Sequence, residues 1–284
     1  MIPLEDNVAD IIGKAQRGLG LSDTELAGAA GVTLGELRAV RAGPFDERLV
    51  RALAPALRLG AHQLVALGQG TWYPPRQEIL GLAMFTTPYG GMTVNAYLVW
   101  DLGARRAAAF DTGAECEPIL QFLLDNQLGL DLILLTHSHG DHIGDLARLK
   151  QATGARAFIT KQEPVEGVET FREGYVFSVG RLQIETRLTC GHTRSGTTYV
   201  VTGLERPVAL TGDALFAGSM GGANVSYADA LRTNCEQVLQ SLPDDTILCP
   251  GHGPMTTVGE EKQHNPFFPE LRSRDERCNS YEIG

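Results

Sequence analysis

The pattern of apolar positions changes near residue 70. Before Gly70, apolar residues recur at helical spacing, as in Ile11, Ile12 and Ala15, and this periodicity predicts about five helices. After Trp72, short apolar runs bounded by glycine or polar residues indicate strands. We therefore predict two domains, a helical one over residues 1–70 and a strand-rich one over residues 71–284.

Two capping boxes mark helix starts within the first domain. Ser22 is followed three residues later by Glu25, and Thr33 by Glu36, which is the spacing of a reciprocal N-terminal cap. The two short helices that follow, separated by Gly31, resemble the small helix-turn-helix domain of the Cro and lambda repressors. That resemblance implies that the second helix would present its outer face to the major groove of DNA.

The charges of this segment argue against DNA binding. We expect Leu34, Leu37 and Val40 to face inward, so that Arg38 is the one good reader of bases on the outer face. Residues 1–70 carry seven basic and eight acidic side chains, a net charge of −1, whereas a DNA-binding face needs a clear positive excess. We therefore favour packing, dimerisation or substrate shielding as the role of this segment.

The second domain alternates strands and helices, which is typical of a layered α/β fold. Strands are predicted at residues 96–100, 106–110, 132–136, 157–160, 182–188, 198–202, 208–211 and 246–249. Helices are predicted to begin near residues 117, 143 and 228.

Three histidines and an aspartate crowd into residues 137–142, directly after the apolar run 130–135. The run reads as a buried strand, so these side chains lie in a strand-to-helix loop. There His137 and His139 can converge on one metal ion while Asp141 and His142 turn toward a neighbouring position. Imidazole and carboxylate ligands together suit zinc, iron or manganese.

Three more metal-binding residue types follow strand-like runs, namely His192, Asp213 and His252. Five of the chain's 7 histidines fall in these motifs, and His62 and His264 lie outside them. A single histidine in a loop is usually an ordinary polar residue, but a joint pattern of this kind favours a metal centre.

These motifs resemble those of the metallo-β-lactamase superfamily, in its glyoxalase-II-like branch, over about residues 84–269. The resemblance implies a four-layer αββα sandwich, preceded here by the helical domain, and two divalent ions, with zinc favoured over iron or manganese. It also implies their ligands: His137, His139 and His192 for metal 1, Asp141, His142 and His252 for metal 2, and Asp213 between them. Asp111 would orient a ligand histidine, or would serve only as a turn residue at the end of a strand.

The ligands predict a hydrolase. A hydroxide held between two divalent ions is a nucleophile near neutral pH, and Asp141 and Asp213 are the catalytic candidates that would orient it and handle its proton. A small-molecule substrate is expected, an acyl thioester or other small ester. The loop 216–222 has glycine where many relatives carry an arginine, which argues against glutathione thioesters.

Two other functions remain open at this point. A mononuclear iron persulfide dioxygenase would use His137, His139, His192 and Asp213. A DNA-binding regulator would use the metallo-β-lactamase-fold domain as a ligand sensor.

Composition sets outer limits. The formal net charge of −10 argues against nonspecific binding to nucleic acid or anionic lipid. Five cysteines, odd in number and without a Cys-x-x-Cys pair, indicate reduced thiols. No signal peptide or apolar membrane span is recognisable, so we expect a cytoplasmic protein without a membrane partner. Homodimer formation stays open. Arg272, Arg274 and Arg277 are expected on a solvated surface.

Overall fold

The computed structural model describes residues 2–271, and helices make up the first part of them. These are α1 (Val8–Gly18), α2 (Asp23–Ala30), α3 (Leu34–Ala42), α4 (Glu47–Ala56) and α5 (Ala61–Gln69). Both predicted capping boxes are confirmed, because Ser22 and Thr33 each accept from the glutamate N–H three residues later while the glutamate carboxylate accepts from the cap N–H.

The first sheet has the order β1-β2-β3-β4-β5-β6. Its strands are β1 (Leu82–Tyr89), β2 (Met92–Asp101), β3 (Arg106–Phe110), β4 (Gly129–Leu134), β5 (Arg156–Thr160) and β6 (Glu169–Phe171). The first three strands pair antiparallel, and β3 to β6 run parallel. The crossovers between the parallel strands carry α6 (Glu117–Asp125) and α7 (Leu146–Thr153).

The second sheet has the order β12-β11-β10-β9-β8-β7. Its strands are β7 (Val176–Val179), β8 (Leu182–Leu188), β9 (Thr197–Thr202), β10 (Val208–Gly212), β11 (Ile247–Pro250) and β12 (Thr256–Thr257). Only β10 and β11 run parallel, and the crossover between them carries α8 (Tyr227–Asn234) and a π-helical turn (Cys235–Leu239). After β12 come α9 (Val258–His264) and a 3-10 turn (Pro269–Leu271).

Strand residues alternate between two apolar cores, which stacks the sheets into layers. Tyr199 and Val201 of β9 point into the core between the sheets, whereas Val200 points to the outer face of the second sheet. On the other side, Ala107 and Ala109 of β3 pack beneath α6 and α7. The result is the predicted αββα sandwich, and it is confirmed.

The five N-terminal helices share an apolar core with the outer layer of the second sheet. Ile12, Leu53 and Leu64 belong to the same buried cluster as Leu248 of β11 and Phe268 near the C-terminal end of the described chain. The helical region therefore rests on the sandwich through side-chain packing.

Several details differ from the sequence-based expectation. The edge strands β1, β6, β7 and β12 lie outside the predicted strands, because edge positions are short or half-exposed and lack a clear apolar run. Helix α7 begins at Leu146 rather than near residue 143, since most of residues 140–145, Asp141 and His142 among them, lie in turns. The expectation that Leu34 faces inward is wrong, because Leu34 at the start of α3 is 40% exposed.

Within the described residues, no helix combines the length and hydropathy needed to cross a bilayer. Cys116, Cys190, Cys235 and Cys249 are free thiols. Cys278 and the predicted surface arginines at 272, 274 and 277 lie outside the described residues.

Because the helical region and the sandwich share one core, we expect them to unfold together. Leu53 is fully buried in that core, so Leu53→Ala should lower the free energy of unfolding by about 3 kcal/mol and shift one common transition. Urea titrations followed by far-UV circular dichroism and by tryptophan fluorescence would test this. Leu80→Ala, at a position that is 74% exposed, should change little, and two separate transitions would contradict the shared core.

Candidate metal centre

All seven predicted metal-binding residues meet at one end of the sandwich. The carboxyl ends of β4, β8, β10 and β11 lie at this end, and the loops that follow them carry the side chains. Two groups result, and within each group the donor atoms lie within 4.8 Å of one another: His137, His139, His192 and Asp213 in one, and Asp141, His142 and His252 in the other.

The first group is built around His139. Its Nδ1 lies 3.0 Å from His137 Nε2 and 3.1 Å from His192 Nε2. Oδ2 of Asp213 completes the group at 3.4 Å from His192 Nε2 and 3.9 Å from His137 Nε2. Three imidazoles and a carboxylate oxygen make a set of four donors, the number that zinc prefers.

The second group shares Asp213 with the first. Asp141 Oδ2 lies 3.4 Å from His252 Nε2 and 3.7 Å from His142 Nε2. The other oxygen of Asp213, Oδ1, lies 3.2 Å from His142 Nε2 and 3.5 Å from His252 Nε2. One carboxylate therefore presents a separate oxygen to each group.

Two buried atoms of this cluster make no hydrogen bond to any described residue, namely His142 Nε2 and Asp213 Oδ1. Buried polar atoms are normally satisfied, and a divalent cation between these two atoms would satisfy both. The residues present thus fit a metal ion, and the donor set of imidazoles and carboxylates is the one that divalent transition metals take.

The charges of the cluster point the same way. Burial disfavours a charged imidazole, but the carboxylates of Asp213 and Asp111 outweigh it and raise the pKa of His142 to about 10. Burial likewise opposes the charge on His252, yet the nearby carboxylates of Asp141 and Asp213 raise its pKa to about 11. The carboxylates therefore stabilise positive charge at this place. A divalent ion would supply that charge and would displace the protons of the histidines.

The sequence profile of the metallo-beta-lactamase superfamily matches residues 89–252. The chain belongs to this superfamily. The match covers most of the sandwich and none of the helical region. Together with the His/Asp clusters, it makes the chain a metal-dependent hydrolase of the metallo-beta-lactamase fold.

Named relatives and solved structures agree with this membership. The chain is 31% identical over 205 residues to hydroxyacylglutathione hydrolase GloC of Haemophilus influenzae, a match that spans 64% of this chain and 95% of that protein. Crystal structures of ETHE1 from Myxococcus xanthus (TM-score 0.58, 25% identity, 71% of this chain and 92% of that one) and of TTHA1623 in a di-iron-bound form (TM-score 0.52, 26% identity, 64% and 99%) are similar to it.

In this metallo-beta-lactamase centre, four histidines are oriented through the nitrogen that faces away from it. Nδ1 of His142, His192 and His252 lies 2.8, 2.8 and 2.6 Å from Asp111 Oδ2, Gly222 O and Thr93 O respectively. Nδ1 of His137 lies 3.0 Å from Thr136 Oγ1. Each Nδ1 that donates to an acceptor leaves Nε2 as the inward lone pair, which is the state a metal ligand needs.

Asp111 is linked to both groups of the centre, directly to His142 and through Thr136 to His137. One oxygen, Oδ2, lies 2.8 Å from His142 Nδ1 and accepts from Thr136 Oγ1 at 2.7 Å, and Thr136 in turn contacts His137. The other oxygen accepts from the backbone N–H of Thr136 at 2.8 Å. The backbone of Asp111 is left-handed, with φ of 58°, so the residue forms the turn after β3. Its side chain also orients the ring of His142.

Sequence reasoning missed Glu163, which ties two ligand-bearing loops together. Its Oε1 accepts from Ser138 N and Oγ at 3.1 and 2.7 Å, and its Oε2 accepts from Thr193 Oγ1 at 3.0 Å and Ser195 Oγ at 3.3 Å. A signal was available, because Glu163 follows β5, whose carboxyl end lies at the same edge as that of β4.

Asn95 was also missed. From the buried face of β2 its Nδ2 donates to Pro250 O at 3.1 Å and to Gly253 O at 2.8 Å, so it holds the loop that carries His252. Gly251 in that loop has no room for a side chain, because a Cβ there would lie 2.3 Å from Asp213 Oδ1. An isolated asparagine in an apolar strand gave no recognisable sequence pattern.

The centre opens to solvent on the side of His139, which is exposed, whereas His137, His142 and His252 are buried. The turn between β1 and β2 lies next to this opening, since a Cβ at Gly140 would approach Tyr89 Oη to 3.0 Å. Tyr89 is 44% exposed. Solvent therefore reaches the donor atoms from the side of His139 and Tyr89.

We expect Asp111→Asn to weaken metal binding by about 10- to 100-fold, because the amide loses the charge that orients His142 and the acceptor for Thr136. Chelator competition with Zn²⁺ would measure the change. Asp131→Asn is the matched control, since Asp131 pairs with Arg106 on the surface and should leave the affinity unaltered. Equal affinities for all three proteins would contradict this role of Asp111.

Proposed function

We propose that the chain is a dinuclear hydrolase of small acyl thioesters. The observation that carries the proposal is the position of Asp213, whose two oxygens face different groups of histidines at 3.2 to 3.9 Å. Six other metal-binding side chains divided around one shared carboxylate suit two ions better than one.

The proposed ligands of the first ion are His137, His139 and His192, those of the second are Asp141, His142 and His252, and Asp213 contributes to both. Zinc is our first choice, because each group offers about four donors of imidazole and carboxylate type. Iron and manganese accept the same donors, and the similarity to a di-iron-bound structure supports iron as the second choice.

When bound, divalent ions in such a site supply Lewis-acid chemistry, lowering the pKa of water and polarising a carbonyl oxygen. Asp141 stays ionised beside them. Burial raises the pKa of this carboxyl, but the hydrogen bond from His252 and the charge of His142 lower it to about 2 overall. We propose that Asp141 and Asp213 orient the attacking water through their carboxylate oxygens, and that no side chain acts as nucleophile.

The substrate class rests on the relative that is named a hydroxyacylglutathione hydrolase. An acyl thioester is therefore our first choice. The loop after Asp213, residues 214–222, contains no lysine or arginine that would bind the carboxylates of glutathione, which favours a thioester recognised without its glutathione part.

Purified chain should contain about two metal ions and release thiol from S-lactoyl-N-acetylcysteamine at a rate at least equal to that with S-lactoylglutathione. Asp213→Asn should lower metal content and cut the rate by at least about 100-fold, because the amide cannot balance the charge of two ions. His62→Ala alters an exposed histidine of the helical region and should keep full rate.

Elemental analysis and a thiol-release assay with a chromogenic disulfide would measure these effects. One tightly held iron per chain, with oxygen consumed in the presence of glutathione persulfide and no thioester cleavage, would reject the proposal. That result would make the chain a persulfide dioxygenase.

For the helical region we propose a helix-turn-helix arrangement that does not bind DNA with useful affinity. The charges around α3 support this. Arg41 donates to Asp23 at 2.9 Å and Arg48 to Glu36 at 2.6 Å, so both are neutralised by acidic neighbours. Arg38 remains as the exposed cation on α3, with exposed Leu34 beside it.

Fluorescence anisotropy with random and genomic-upstream duplexes at low salt should therefore show no binding below micromolar concentration. A repressor that neutralises several phosphates binds strongly and with steep salt dependence. Nanomolar binding that falls steeply with salt and disappears in Arg38→Ala would overturn this expectation.

A further inference from the structure

The loop after Asp213, residues 214–222, touches two of the proposed metal ligands. Gly222 O lies 2.8 Å from His192 Nδ1 and so orients that ring. The ring of Phe216 meets the ring of His252 edge-on, with centroids 5.7 Å apart and an interplanar angle of 88°. At Gly221 the loop is packed so closely that a Cβ would lie 3.1 Å from His192 Nδ1.

Two charged residues of the N-terminal helical region hold this loop. Lys14 of α1 donates from Nζ to Met220 O at 2.8 Å, and Ser219 donates from Oγ to Asp6 Oδ2 at 2.5 Å. Lys14 Nζ also lies 5.2 Å from the centroid of the Phe216 ring, within the range of a cation–π interaction.

Lys14 and Asp6 also pair with each other and are largely buried, with side chains 13% and 7% exposed. A buried pair that loses one partner leaves an uncompensated charge. The pair therefore holds the loop in one position. The ammonium group of Lys14 donates to the carbonyl of Met220, and the carboxylate of Asp6 accepts from the hydroxyl of Ser219.

The sandwich supports the same loop from its other side. Glu261 accepts from Gly218 N at 2.9 Å, and Asn265 Nδ2 donates to Ser219 O at 2.9 Å. The loop thus keeps anchors when the contacts from α1 are removed, so loss of Lys14 should shift the loop against the histidines rather than unfold it.

We propose that Lys14 and Asp6 are positioning residues of the metal centre, acting through the 214–222 loop on His192 and His252. The helical region then forms part of the enzyme rather than an appended module. This inference rests on the ligand roles proposed for the two histidines but not on the identity of the substrate. It goes beyond the roles of packing, dimerisation or substrate shielding that the sequence favours for this segment.

The test uses the full chain with Lys14→Met and, as matched control, Arg41→Met. Arg41 forms its ion pair with Asp23 inside the helical region and makes no contact with the loop. Lys14→Met should weaken Zn²⁺ binding about tenfold in chelator competition and alter the visible spectrum of the Co²⁺-loaded protein. Arg41→Met should do neither, even if it lowers the melting temperature as much.

A second pair of variants keeps the test decisive. In Lys14→Met/Asp6→Asn no charge is left unpaired, so the double variant should regain thermal stability without regaining the metal affinity or the Co²⁺ spectrum. Should Lys14→Met fail to fold, Ser219→Ala removes the hydroxyl that donates to Asp6 and, at 3.5 Å, contacts Met220 O, and it should still change the Co²⁺ spectrum.

Wild-type metal affinity and an unaltered Co²⁺ spectrum in the Lys14 or Ser219 variant would overturn the positioning role. Wild-type metal affinity and Co²⁺ spectrum in the double variant would also overturn the positioning role, since the effect of Lys14→Met would then come from the unpaired buried charge alone. Absence of bound metal in the unaltered chain would instead reject the ligand assignment proposed above, so the two failures are distinguishable.

Discussion

Electrostatic balance at one edge of the sandwich is the constraint on which the rest of the structure depends. Asp141 and Asp213 lie within 3.9 Å of four imidazoles in a largely buried space. Carboxylates cost free energy in such a place unless positive charge accompanies them. Rigid strands must therefore deliver each side chain to within a fraction of an ångström, and the hydrogen bonds behind the histidines must hold the rings in one orientation.

The layered fold positions these side chains. The carboxyl ends of β4, β10 and β11 lie at the same edge of the sandwich. Side chains that are distant in sequence therefore lie close together without long loops. Glycine at 251 and asparagine at 95 then set the path of the loop that carries His252. The backbone of the strands and loops thus determines where the donor atoms of the metal centre lie.

The apolar pattern predicted a layered α/β fold and the residues near the metal centre for a clear physical reason, and the family resemblance added the αββα sandwich. Central strands such as β3 and β8 are apolar runs or strict alternations, and metal-binding side chains follow such runs directly. Edge strands such as β1 and β12 carry no such pattern, because half their surface faces solvent. Glu163 and Asn95 act through contacts across 25 to 158 residues of sequence, which local patterns cannot reveal.

The shared carboxylate of Asp213 has a thermodynamic consequence. If each group holds an ion, as proposed, the ion in one group withdraws charge from a carboxylate that also serves the other group, so the two occupancies would be linked reciprocally. Asp111 adds a second link, because it touches His142 directly and His137 through Thr136. On this proposal, the protein with one ion would be a distinct electrostatic species with its own affinity for the second ion, rather than an average of the empty and full forms.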